Sequence, residues 1–403
     1  MKVLVICVLP PMPLPEADHA LHLVLHLAEA GVTVDVLTTR GSIEAEHPNI
    51  TQFSEMQRWN WRESPRLVRR IKRSRPDAIL LYYFPHLYDD HPMVTFAPTL
   101  ARAAAPLVPF VTLIPQFYGS SPAKFGLIGK IVHKAIRISL GRNTHYGLGT
   151  VLRDSSRIIA LSRLHLEKFT EALPQVAGKS VLIPPPPIMM LAPDTEGVRD
   201  AARRQLGVTG DLFLFAYFGY LYPSKGVETL ICAFAQVAAR HDCARLAIIG
   251  SVSQFEGGPE YGVLVRQLVT DLGLESKVIF TGKFAWDSTQ GSAYLRAADA
   301  GVLPFDSGIQ MNNSSFAATV AHGLPVVTTR GRDLEEPFAD GENVCLCPPK
   351  DPDALAAAMQ EVLEDAPLRR RLHSGAVRFA DEWFSWNSNI RRTLAALEPV
   401  QHE

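Results

Sequence analysis

The chain has 403 residues, 47 % hydrophobic and 20 % charged, with a formal net charge of −1. That balance excludes a polyelectrolyte or a largely disordered chain, and the length calls for two domains of roughly 150–200 residues each. No apolar run reaches the ~18 residues that cross a bilayer, which excludes a membrane-spanning helix.

Residues 2–8 are β-branched and apolar and read as a first strand. Pro10, Pro11, Pro13 and Pro15 follow at once with no small-residue cleavage site, so no export signal is expected. Apolar residues from Ala20 to Ala28 recur at helical spacing until Gly31, and 32–37 is the next strand. Further apolar runs at 78–83, 107–113, 158–161 and 181–183 alternate with helical segments, the pattern of a parallel sheet covered on both faces. The charge of this half is uneven. Residues 1–184 hold 21 Lys and Arg against 14 Asp and Glu, and the remainder holds 19 against 27. Arg58, Arg62, Arg66, Arg69, Arg70, Lys72, Arg73 and Arg75 face Glu63 alone. No acid stands between Asp90 and Asp154, where Lys124, Lys130, Lys134, Arg137 and Arg142 do. Two readings fit: solvated helix faces, or a basic lobe that meets an anionic membrane or substrate. No nucleic-acid recognition module accompanies the charge, so nucleic acid is not an expected partner.

Pro184-Pro185-Pro186-Pro187 is a stiff connector that cannot donate to a sheet ladder. The strand–helix grammar then restarts: strands at 212–218, 245–249, 278–280, 301–303 and 325–329, with helices at 227–239, 264–272 and 315–322. The expected fold is α/β, with two doubly wound Rossmann-like domains facing across a cleft, the first over 1–185 and the second over 190–383. Ligands of such sheets sit at the carboxyl ends of strands. Cys345 and Cys347, at i and i+2 of an expected strand, share one face. With five cysteines and no framework spacing, free thiols in a reducing cytosol are expected.

Two loops carry the chemistry. Gly219-Tyr220-Leu221-Tyr222-Pro223-Ser224-Lys225-Gly226 joins a strand to a helix. Glycine lets the backbone approach a ligand, and the helix start with Lys225 makes a diphosphate cradle, against the plainer reading of a strand–helix turn. Gly308-Ile309-Gln310-Met311-Asn312-Asn313-Ser314-Ser315 follows another strand and opens another helix, with Ser314 or Ser315 the expected N-cap. Its small polar groups can bond sugar hydroxyls. In the first half, Asp18 and His19 after the proline loop, His86 in Tyr82-Tyr83-Phe84-Pro85-His86, and Gln116 and Tyr118 are acceptor-side candidates. An aromatic can stack on a sugar, and a His or Asp can take a hydroxyl proton.

The ordered set Gly219 with Lys225-Gly226, Leu246-Ala247-Ile248-Ile249-Gly250, Val278-Ile279-Phe280-Thr281-Gly282, Ala297-Ala298-Asp299, Leu303-Pro304-Phe305, Gly323-Leu324-Pro325-Val326-Val327 and Asp340-Gly341-Glu342-Asn343 resembles glycosyltransferase family 4, of the GT-B fold. Phe384-Ser385-Trp386 resembles the start of that family's last helix, so 384–403 is expected to cross back to the first domain. The resemblance implies retaining transfer from a nucleotide diphosphate-sugar co-substrate, with no metal and no other cofactor. It implies Lys225 on the diphosphate and 308–315 holding donor sugar and phosphate through backbone N–H groups. Gln310 would act with Lys225 at the reacting centre, while Gly250 and Phe280 would lie near base and ribose. The implied partners are the donor and a glycan or lipid-linked acceptor. The expected setting is the cytoplasm, and the membrane reading of the basic first half would put the chain at the inner face of an anionic membrane. The family's basic residue after the strand glycine falls at Tyr220, its paired glutamates at Gln310 and Ala318, and its first-domain histidine at Ile114. These departures keep open a second reading, a non-catalytic GT-B relative that binds a nucleotide sugar, a glycan or a partner transferase.

Overall fold

The computed structural model describes residues 1–116, 131, 134, 135, 138, 148–253, 257–285 and 288–399. Tyr118, Lys124, Lys130, Arg137 and Arg142 lie outside the described residues. The chain divides into two compact units, one of Met1–Pro184 with Trp386–Glu403, the other Pro185–Ser385.

The first unit is built on a seven-stranded, all-parallel sheet ordered β3-β2-β1-β4-β5-β6-β7. Its strands are β1 Lys2–Ile6, β2 Thr33–Thr39, β3 Ile50–Met56, β4 Ala78–Tyr82, β5 Phe110–Ile114, β6 Arg157–Ala160 and β7 Ser180–Leu182. The central strands β4 and β5 are buried at every residue, which is why they read as unbroken apolar runs. β3 is an edge strand, exposed at Thr51 and half-buried along Gln-Phe-Ser-Glu, and its polar face hid it from the sequence pattern. The first helix begins at Pro15, earlier than expected, because proline fits the first helical turn. It packs, with β4, β5 and β6, against the chain's last described helix, Trp386–Leu397. Asn389 Nδ2 donates to the Pro184 carbonyl at 3.0 Å, and Arg157 donates to the Ala395 carbonyl at 3.2 Å.

The earlier start of that helix changes the reading of His19. It lies on a buried helical face, 2 % exposed, with Nδ1 2.9 Å from the Tyr82 hydroxyl. His22 and His26 continue the face, and the Trp386 indole stacks on His26 at 4.3 Å. His19 is therefore a core residue and is removed from the acceptor-side set. Burial, then the neighbouring His22, pushes its pKa down to about 3. Burial and His26, opposed by Glu29, push His22 to about 4. The unfolded chain binds these protons near pH 6.5, so it holds more protons than the folded chain below that pH. Stability is whole above pH 6.5 and falls as the pH drops towards 4. His19 alone accounts for about 2 kcal/mol between pH 7 and 5. Urea midpoints at the two pH values should show a smaller acid loss in His19→Phe than in the parent; an equal loss would refute this assignment.

The second unit carries a six-stranded, all-parallel sheet ordered β10-β9-β8-β11-β12-β13. Its strands are β8 Phe213–Phe218, β9 Ala244–Ile249, β10 Val278–Gly282, β11 Ala300–Leu303, β12 Val326–Thr329 and β13 Cys345–Cys347. Asp299 anchors the start of β11: it accepts from the Leu214 N–H at 2.8 Å, Arg199 at 2.6 Å and Arg203 at 3.2 Å. Cys345 and Cys347 both point into the core, and all five thiols are free.

In each sheet the strand order reverses once. It does so between β1 and β4 in the first unit and between β8 and β11 in the second. Loops leaving the carboxyl ends of such a strand pair diverge to opposite faces and leave a crevice between them. In the second unit those loops are 219–226 and 304–313.

Candidate functional site

Gly219 ends β8 with φ +135°, and a Cβ there would stand 2.5 Å from Ser315 Oγ, in the first turn of the helix Ser314–Ala321. Gly250 ends β9, also at φ +135°, and a methyl there would strike the Gly219 carbonyl oxygen. Gly250 thus approaches Gly219 backbone to backbone, and the Ser315 hydroxyl fills the space a Gly219 side chain would take, contacts that a side chain at either glycine would prevent. Beyond Gly219, Leu221 exchanges hydrogen bonds of 2.9 Å with Ser251 and Ser253, which extends the pairing past the sheet. Gly250 N–H donates to Thr281 Oγ1 at 3.3 Å and brings in the end of β10. Phe280 is half-buried there, with the Arg266 guanidinium 4.2 Å from its ring centre.

Lys225 sits in a tight turn closed by its own N–H on the Tyr222 carbonyl at 3.2 Å. Gly226, at φ +68°, opens the helix Val227–Arg240 and lies against the Pro304 carbonyl. The Asp306 N–H donates to the Ser224 carbonyl at 3.0 Å. Lys225 Nζ is 4.8 Å from the Phe305 ring centre and 5.0 Å from that of Tyr222. Such ring faces hold an ammonium without neutralising it. The turn carrying Lys225 and the loop entering the Ser314–Ala321 helix are therefore one interlocked body.

The two helix starts differ. The Val227–Arg240 helix has Glu228 in its first turn, hydrogen-bonded to the Tyr261 hydroxyl. The Ser314–Ala321 helix has no acid in its first turn and no side-chain cap. Its N-cap position is Asn313, where Ser314 or Ser315 was expected, and the Asn313 amide oxygen turns back to accept the Gln310 N–H at 2.7 Å. The positive end of this helix is thus the better seat for an anion.

Within 308–315 the roles divide. The N–H groups of Gly308, Ile309, Gln310 and Met311 are committed to Phe305 O, Thr329 O, Asn313 Oδ1 and Glu335 Oε1. The Asn313 N–H bonds the Gln310 carbonyl. These backbone groups shape the loop, which narrows the expected backbone donors to the start of the helix. Ile309 and Met311 bury their side chains fully and anchor the loop to the core, while Gln310, Asn312, Asn313 and Ser314 are half-exposed. The Asn312 side-chain oxygen is enclosed and accepts no hydrogen bond among the described residues. Glu335, 5 % exposed, was not singled out from sequence, since its partner Met311 lies 24 positions away. Ala318 and Ile114 are core residues at 1 % and 0 % exposure, and Tyr220 is exposed.

In the first unit, His86 stands on a short turn after β4, its Nδ1 2.9 Å from Asp90 Oδ2. Glu16, also missed from sequence, is the nearby acid. Burial raises its pKa above the ordinary carboxylate value, with His86 lowering it and Asp18 raising it. Asp18 is half-buried on the same helix, and Gln116 is exposed just past β5. Glu16, Asp18 and His86 follow β1 and β4, the reversal pair of that sheet. A His–Asp pair at such a place can take a proton from a hydroxyl.

Residues 213–365 match the family model described as glycosyl transferases group 1. A D-inositol 3-phosphate glycosyltransferase of Thermomonospora curvata is 30 % identical over 207 residues, 49 % of this chain and 45 % of its own length. An uncharacterized glycosyltransferase of Methanocaldococcus jannaschii is 30 % identical over 192 residues, 48 % of this chain and 46 % of its own. The chain spans about half the length of these curated relatives. Among solved structures, Anabaena HepE in complex with UDP and glucose aligns with a TM-score of 0.71 at 19 % identity, covering 98 % of this chain and 99 % of that one. WaaG, a glycosyltransferase involved in lipopolysaccharide biosynthesis, aligns at 0.62 and 16 % identity, covering 98 % of each chain. The two parallel-sheet, Rossmann-like units are those of the GT-B fold.

Proposed function

We propose that this chain is a retaining glycosyltransferase that moves a hexosyl-type sugar from a nucleotide diphosphate-sugar to a hydroxyl of a glycan, a glycolipid or a similar acceptor, without a bound metal. The observation that carries the reading is the interlock of the Lys225 turn with the loop entering the uncapped Ser314–Ala321 helix. When the bond from the anomeric carbon to the diphosphate oxygen breaks, negative charge grows on the leaving group. A fixed ammonium and a helix N-terminus are suited to meet it. Gln310, half-exposed in the loop entering that helix, is suited to a sugar hydroxyl. Gly250 and Phe280 form the place for base and ribose, and the UDP held by the solved neighbour makes uridine diphosphate the first nucleotide to try. As the new bond to the acceptor oxygen forms, its proton leaves, and His86 with Asp90 is the first-unit pair able to accept it.

The free thiols fit a reducing cytoplasm. The exposed Arg69 and Arg73 support peripheral contact with an anionic membrane at its inner face. Among the described residues no helix is long and apolar enough to cross a membrane.

The second reading, a sugar-nucleotide binder without turnover, is favoured by Gln310 and the buried Ala318 where the resemblance places glutamates. Incubation with UDP-, GDP- and ADP-sugars separates the two. Release of nucleoside diphosphate with sugar transfer or hydrolysis, and an α-linked product from an α-linked donor, is the expected result. Thermal stabilisation by a nucleotide without turnover of any donor would select the second reading.

A further inference from the structure

The first unit holds a cavity of about 250 Å³ lined by Arg40, Glu55, Arg66, Arg69, Arg70 and Arg73. Three elements build it: Arg40 follows β2, Glu55 lies on the edge strand β3, and the remaining four arginines come from the helix Ser64–Ser74. The spacing 66, 69, 70, 73 puts those four on one helical face. The inner wall is rigid. Arg70 stacks on the Phe53 ring at 3.5 Å and pairs with Glu55, and Arg66 donates to the Glu55 carbonyl at 2.9 Å and to Glu63 at 2.5 Å. Arg70 Nε is enclosed and has no acceptor among the described residues.

The rim is different. Arg40, Arg69 and Arg73 are exposed and their guanidinium groups pair with no carboxylate among the described residues. Five arginines against one glutamate give the lining a charge of +4. Bringing like charges around one concavity opposes folding, and a bound anion would offset that repulsion. Planar forked donors converging on a hollow match the several oxygens of a phosphate, and the charge calls for a ligand with more than one negative charge.

We propose that this cavity binds a phosphomonoester dianion. The site belongs to the first unit and does not rest on the donor-site reading. The group could be carried by a soluble phosphorylated compound or by a lipid headgroup, and the recognition chemistry is the same.

The test uses the full chain carrying Lys225→Ala, so that the second unit's phosphate cradle is silent, at one fixed ionic strength. Probes are glycerol 3-phosphate in solution and phosphatidylcholine vesicles containing either phosphatidic acid, a phosphomonoester, or phosphatidylglycerol, a phosphodiester. Arg69→Gln with Arg73→Gln removes two rim charges. Lys72→Gln with Arg75→Gln removes two from the same helix outside the cavity. Arg40→Gln tests the rim from another element. At least one phosphomonoester probe should bind. The Arg69/Arg73 pair should weaken it by about tenfold or more and Arg40→Gln measurably, with the Lys72/Arg75 pair within about threefold of the parent. Binding of glycerol 3-phosphate assigns a soluble ligand, and binding to phosphatidic acid vesicles alone assigns a headgroup. The proposal is overturned if no phosphomonoester binds, if phosphatidylglycerol vesicles bind as tightly as phosphatidic acid, or if the two double variants weaken binding equally.

Discussion

Lys225→Ala is expected to lower kcat/KM for sugar transfer by about 100-fold to 1000-fold, the loss typical when one fixed donor to a developing anion is removed. The fold should survive. The side chain is half-buried between the Tyr222 and Phe305 rings, and their combined hold on an ammonium is worth only about 1 kcal/mol. Lys225→Met separates charge from bulk, since it keeps most of the stem against both rings. If transfer by Lys225→Met stays within a few-fold of the parent, the ammonium has no part in stabilising the leaving group. Steady-state rates at saturating acceptor, read beside urea unfolding curves, make the distinction.

Gly226→Ala should be strongly destabilising. Its backbone is left-handed at φ +68°, and the added carbon would be driven into the Pro304 carbonyl, a backbone atom that cannot swing away. Strain of roughly 1–2 kcal/mol for the conformation, with the collision added, gives a loss of about 3 kcal/mol or more. Gly210 is the matched control, with φ +60° and nothing near the added carbon. Gly210→Ala should cost only about 1 kcal/mol. Equal losses for the two in urea would mean that the Lys225 turn and the Pro304–Asp306 strand exit are not held against each other.

The parts of the fold legible in the sequence are those whose signal is local. Lys-Val-Leu-Val-Ile in β1 and Phe-Val-Thr-Leu-Ile in β5 are apolar on both faces because helices cover both, and a continuous run records that. Ile-Thr-Gln-Phe-Ser-Glu-Met in β3 lies at an edge, needs no such run, and was missed. His19 was read as a loop residue because the proline cluster ahead of it hid a helix start. Once the helix begins at Pro15, the spacing turns His19 inward. In the second unit, Gly219 and Gly226 were legible as places where backbone can come close to a ligand. What they approach was not, since Ser315, Pro304 and Asp306 lie far along the chain. The same holds for the loop 308–315. Its composition marked it as polar and exposed, yet Thr329 and Glu335 take two of its N–H groups, and only the folded sheet brings them there.

The helix Trp386–Leu397 belongs to the first unit by its packing and follows the second in the chain. A ribosome therefore releases β1 to β7 long before the piece that covers His22, His26 and the Pro184 carbonyl exists. During that interval the nascent first unit has an uncovered apolar flank, and it waits for the whole of the second unit to be translated. Vectorial synthesis then gives the two halves unequal histories: the one begun first is the one finished last.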